Sequence, residues 1–197
     1  MGGMAQRDMA GDARLARWLA RPGAGTTEPC DAAADVPTML TQAECRLYRR
    51  LGAHWATGAG AIVDLGCFVG GSTARLAAGA AQAGHGARVH AFDRFTADPL
   101  TRARLLPDHP AADQGDRDIL PLAERFLRPW RDRVICHRGE IETLGWTGVP
   151  GGGGPIELLV IDAAKTGDTA DAIAAAFFPA LIPGRSLVVH QDALHWR

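Results

Sequence analysis

Short apolar runs bounded by turn residues alternate along this chain with stretches in which apolar positions recur every three or four residues. Five runs read as strands: Ala61 to Leu65, Arg88 to Phe92, Arg133 to His137, Glu157 to Ile161 and Ser186 to His190. The first of them, a short apolar run ending in a glycine-rich turn, reads as a buried parallel strand. Leu47, Leu51 and Trp55 repeat at i, i+4 and i+8 behind Thr41 and Glu44, which have the spacing of a capping box, so a helix is predicted from Thr41 onward. Ser72 to Ala83, Asp118 to Phe126 and Thr169 to Phe178 are further predicted helices. Strands alternating with helices imply an α/β domain: a doubly wound, mostly parallel sheet with helices on both faces and right-handed crossovers.

The pattern divides the chain into an N-terminal arm and linker, 1–38, and one domain, 39–197. Within the arm, Asp12 to Ala20 predicts a short helix with Leu15, Trp18 and Leu19 on one side, and Arg21 to Pro37 reads as linker. Phe95 to Gly115 mixes turn residues and charges and reads as a long loop or lid. Pro150 to Pro155 reads as a glycine-rich loop.

Composition narrows the function classes. With 197 residues, 47% of them hydrophobic, the chain can bury a core of its own. A net charge of -1 gives no electrostatic footprint for nucleic acid. No apolar span is long enough for a membrane helix, and no basic segment followed by an apolar one marks a secretory signal. The four cysteines, Cys30, Cys45, Cys67 and Cys136, are scattered without a C-x-x-C pair. They read as reduced thiols of a cytoplasmic protein, not as a zinc site or a disulfide framework.

The strongest chemical signal is the turn between the first predicted strand and the next helix, Val63 to Thr73 (VDLGCFVGGST). Ligands of open α/β sheets bind beyond the carboxyl ends of the strands, where this turn lies. A dinucleotide site would place a glycine where Phe68 stands, and no Gly-Lys-Ser/Thr follows to make a phosphate loop. The ligand must tolerate a wider turn and offer an amino group to Asp64. The methionine end of S-adenosylmethionine does both.

Asp64-Leu-Gly66 followed by Gly70 resembles the first motif of the class I S-adenosylmethionine-dependent methyltransferases, whose fold is Rossmann-like. The resemblance implies cofactor contacts from Asp64, Gly66, Cys67, Phe68, Gly70 and Ser72 in the turn. It implies the same for Asp93, on the ribose hydroxyls, with Arg94 beside it, for Glu140 near the adenine in Arg138-Gly139-Glu140, and for Asp162. The residues alone leave two plainer alternatives open: Asp64 as a cap of the turn, and Asp93 as a solvated loop acid.

Asp162-Ala163-Ala164-Lys165 resembles the catechol-type metal-dependent O-methyltransferases, and His190-Gln191-Asp192 resembles macrocin-type sugar O-methyltransferases. These likenesses imply Asp162 and Lys165 as catalytic residues, Lys165 as general base, and a Mg²⁺ ion held by Asp162, Gln191 and Asp192. Gln191 is neutral, and Ala163 and Ala164 stand where the sugar-methylating relatives carry a further acid. His190 and His195 are alternative bases. The implied activity is O-methylation of a small molecule or sugar. A cofactor-binding module without transfer activity, and a different enzyme on the same scaffold, stay open. Nucleic-acid methylation is disfavoured because no Asn/Asp-Pro-Pro-Tyr/Phe motif follows the fourth strand. The family continues after the fifth strand with a helix and an antiparallel strand pair. This sequence ends at Arg197, which leaves a fragment, a shortened natural protein and completion by another chain open; if the chain is natural as written, the sheet lacks that pair and its open edge implies a homodimer or weak stability.

Overall fold

A computed structural model of the chain describes residues 13–16, 18–20, 33–109, 117–164 and 166–191. Five strands, β1 (Ala61–Leu65), β2 (Val89–Asp93), β3 (Val134–Arg138), β4 (Ile156–Ile161) and β5 (Leu187–His190), form one sheet in the order β3-β2-β1-β4-β5. Every pairing is parallel. The helices are α1 (Gln42–Arg50), α2 (Gly71–Gln82), α3 (Pro99–Leu105), α4 (Leu120–Leu127), α5 (Ile141–Leu144) and α6 (Gly167–Phe177). This is the Rossmann-like, doubly wound arrangement that the apolar runs imply.

Successive residues of a strand face opposite layers, and the two cores show it. Ile62, Leu158 and Val160 pack with Leu51, Trp55, Leu76 and Ala77 under α1 and α2. Val63, Leu159 and Ile161 pack with Phe92, Trp146, Ile173 and Phe177 under α6. Trp130 and Trp146 are both buried, so they are packing residues. The small residues of α2 let the layer above come close: a Cβ on Gly79 would lie 2.1 Å from the Arg49 carbonyl oxygen. Thr41 and Glu44 cap α1 reciprocally, as their spacing predicts.

Three local expectations need correction. The segment read as a loop or lid, Phe95 to Gly115, carries α3, with Pro99 at its first turn and Asp98 accepting from the Leu100 and Thr101 amides at 2.9 and 3.0 Å. Its residues 110–115 lie outside the described residues. The mixed charges hid a short helix whose cap was nevertheless legible. α5, four residues long, was not foreseen at all. In the arm, residues 13–16 and 18–19 are helical, but Leu15 and Leu19 are exposed. Trp18 alone of the expected stripe packs inward, edge-on to Trp55. What docks this segment is charge. Arg14 pairs at 2.8 Å with Glu157, a wholly buried acid near the start of β4, and stacks on Trp55. Thr57 donates its backbone N–H and its hydroxyl to the same acid, both at 2.8 Å, and the Ala59 amide donates at 3.2 Å.

No described helix is long and apolar enough to cross a membrane.

Candidate active site

The parallel sheet brings all five strand ends to one edge, and backbone hydrogen bonds carry the row one residue further. Gly139 donates to Asp93 at 3.0 Å, Gly66 to Phe92 at 2.8 Å, Asp162 to Leu65 at 2.9 Å and Gln191 to Ile161 at 2.9 Å. The residues just past the strands are therefore held by the sheet itself. They open onto a cleft of about 720 Å³, lined by Gly66, Phe68, Asp93, Arg94, Glu140, Asp162 and Gln191 among others.

The floor is the glycine turn. Gly66 and Gly70 both have φ of 92°, and Phe68 also lies in the left-handed region at 53°. Gly66 abuts β4: an added Cβ would stand 3.0 Å from the Asp162 carbonyl carbon. Only glycine lets these strand ends lie so close and leaves the backbone open to a ligand. Ser72 lines a smaller cavity beside the turn.

Asp64 is wholly buried beneath the turn. One carboxylate oxygen accepts the Ser72 and Thr73 hydroxyls at 2.7 and 2.6 Å. The other is buried with no hydrogen-bond partner among the described residues. Burial pushes its pKa up to about 6, against the two hydroxyls that hold it down; Asp162 and Asp93 add repulsion. A buried acceptor without a partner is costly, and its position beneath the turn suits a cationic donor.

Asp93 is not a solvated loop acid. It is half-buried, and its two oxygens accept backbone N–H groups from Phe68 at 2.9 Å and Phe95 at 2.7 Å. Burial raises its pKa, and those amides pull it back. Arg94 and Glu140 are exposed at the same end of the cleft. Arg138 turns away to Asp118, at 2.8 Å. The Cys67 thiol is pushed up by burial and Cys136 to about 11, chiefly by burial, so both stay protonated.

At the other end stand Asp162 and Gln191. The Gln191 amide oxygen accepts the Tyr48 hydroxyl at 2.7 Å, and its nitrogen donates to Glu44 at 3.3 Å. Lys165, Asp192 and His195 lie outside the described residues. Among the described residues, no group of three or more His, Cys, Asp or Glu side chains could hold a metal ion. Of the expected ligand set, the described part is one carboxylate and one amide oxygen already engaged by Tyr48. Asp192, the third expected ligand, lies outside the described residues.

Met39, Glu44, Glu142 and Thr169 also line the cleft, and none was foreseen. Glu44 carried a signal, but only as a helix cap. One of its oxygens does cap Thr41, while the other reaches Gln191.

A family model described as a methyltransferase domain matches residues 63–191, which takes in the glycine turn, Asp93, Asp162 and Gln191. The chain belongs to this family and is a class I S-adenosylmethionine-dependent methyltransferase. S-adenosylmethionine is the cofactor expected of the family. Among solved structures, that of CalS11, a calicheamicin methyltransferase, is similar at 17% identity and a TM-score of 0.46, over 98% of this chain and 80% of that one. No curated protein matches.

Proposed function

We propose that this methyltransferase transfers a methyl group to a hydroxyl of a small molecule or sugar. One observation carries the reading: Asp93, the last residue of β2, and Asp162, the residue after β4, line a single cleft of about 720 Å³. That volume is in the range of pockets for small ligands. The described residues fit the cofactor: a buried carboxylate oxygen of Asp64 lacks a partner, and the Gly66 backbone has no Cβ in the way.

S-adenosylmethionine supplies, when bound, an electrophilic methyl on a sulfonium sulfur. In this reading Asp93 accepts from the ribose diol, a task for which a carboxylate retains lone pairs beyond the two amides. Asp64 accepts the ammonium. Asp162, at the acceptor end, takes the proton of the attacking hydroxyl as the sulfur–methyl bond breaks and the oxygen–methyl bond forms. Lys165 is the second candidate for that proton. The products are a methyl ether, S-adenosylhomocysteine and a protonated base. Most of the acceleration comes from holding the two reactants in line.

Incubation with methyl-labelled S-adenosylmethionine, a panel of sugars and phenols, and a chelator tests this. The expected result is a labelled methyl ether with the chelator present. Asp162→Asn should lower kcat by about 100-fold while cofactor affinity stays within about threefold. Cofactor binding with no labelled product from any acceptor would favour the inactive binding module instead.

A further inference from the structure

Residues 37–40, which the sequence assigns to the end of the arm and the start of the domain, lie across the glycine turn. Thr38 stands against Gly71, the first residue of α2: a Cβ there would be 2.5 Å from the Thr38 Cβ and 2.7 Å from the Pro37 carbonyl oxygen. The Leu40 amide donates to the Thr38 hydroxyl at 3.2 Å, which tightens the bend and turns Met39 outward. Between this bend and the turn lies a second cavity of about 20 Å³, bordered by Thr38, Met39, Gly66, Phe68, Ser72 and Asp162. Met39 borders the large cleft as well, as do Gly66, Phe68 and Asp162. It is 63% exposed.

We infer that residues 37–40 are the outer wall of the site for the cofactor's methionine end, and that Met39 is the apolar contact buried when the cofactor is bound. The inference rests on the cofactor reading above. Ser72 borders the small cavity and bonds Asp64, which marks this side as the place for the ammonium. A cavity of that size has room for about one water. The amino-acid end needs more room than that, and Met39, exposed at the border of both spaces, is placed to fold down along the ligand. An unbranched thioether does this with little strain and offers a soft, polarisable surface to a methylene chain and its sulfur.

Oxidation of the intact chain by hydrogen peroxide, followed by peptide mass spectrometry, reads this directly. The probe is saturating S-adenosylhomocysteine, and Met1, Met4 and Met9 serve as references in the same chain. Met39 should oxidise at least about fivefold more slowly with the probe, and the references should not change. Met39→Leu should bind the probe within about twofold of the native chain and Met39→Ser about tenfold more weakly, with equal melting temperatures. If the probe binds and Met39 oxidises at an unchanged rate, the wall is elsewhere. If the probe does not bind at all, the cofactor reading falls and this inference falls with it.

Discussion

The backbone N–H of Phe68 donates to the carboxylate of Asp93 at 2.9 Å, tying a left-handed residue of the glycine turn to the end of β2. The other Asp93 oxygen holds Phe95, the second non-glycine residue with positive φ, at 2.7 Å. One side chain thus holds two backbone conformations that L-residues adopt at a cost. Asp93→Ala should lower stability by about 1–3 kcal/mol and weaken cofactor binding by about 100-fold. Thermal melts and calorimetry measure the two effects. A melt that falls with unchanged affinity would remove Asp93 from the ligand and leave it a structural role.

The two glycines of the turn should respond differently. At Gly66 an added methyl meets the backbone of Asp162, just past β4, which cannot yield without parting two strand ends. At Gly70 it meets the Leu127 side chain at 2.8 Å, which can rotate. Both share the strain of positive φ. Gly66→Ala should therefore bind S-adenosylhomocysteine at least about tenfold more weakly than Gly70→Ala. The reverse order would show that the turn meets its ligand further along.

The sheet was legible because each strand is an apolar run between turn residues, long enough to name its ends within one or two residues. The site residues on those ends came with it: Asp64, Gly66, Asp93 and Asp162 lie where strand order places them. α3 was missed because Arg102 and Arg104 read as loop charges, although Arg102 is in fact buried and bonded to the Asp118 carbonyl. Met39, Tyr48 and Glu44 were invisible as site residues for a different reason. Met39 and Glu44 reach the cleft through α1 and its approach, Tyr48 acts on it through Gln191, and that pairing spans 143 positions. No local period encodes such a contact.

Asp64 and His90 should give opposing pH slopes in stability. Asp64 rises on folding, from 3.8 to about 6, so the folded chain holds the extra proton between those values and stability falls as pH rises through them. His90 drops from 6.5 to about 4, first through burial and then through repulsion from His137 and Arg88. Its ring nitrogen is 2.9 Å from that of His137, which burial also lowers. The unfolded chain takes up those protons, so stability falls as pH drops from 6.5 toward 4. In Asp64→Asn the largest opposing slope is gone, leaving the smaller one of Asp93, and denaturant unfolding should show stability rising with pH toward 6.5 more steeply than in the native chain. A flat profile in that variant would mean that the histidine pair is not buried neutral.

Gln191 should matter to the acceptor more than to the cofactor. Its amide is fixed by the Tyr48 hydroxyl on one side and Glu44 on the other. Tyr48→Phe removes one hydrogen bond, worth about 0.5–1.5 kcal/mol of stability. It should raise the KM for an identified acceptor while S-adenosylhomocysteine affinity holds. A change in cofactor affinity alone would place Gln191 at the wrong end of the cleft.

Calorimetric titration of the purified chain with S-adenosylmethionine tests the central claim most directly. One site per chain, with a dissociation constant in the micromolar range at pH 7.5 and weakening by about tenfold at pH 5 as Asp64 takes up its proton, is the predicted result. A folded chain that gives no binding heat at millimolar cofactor would contradict it.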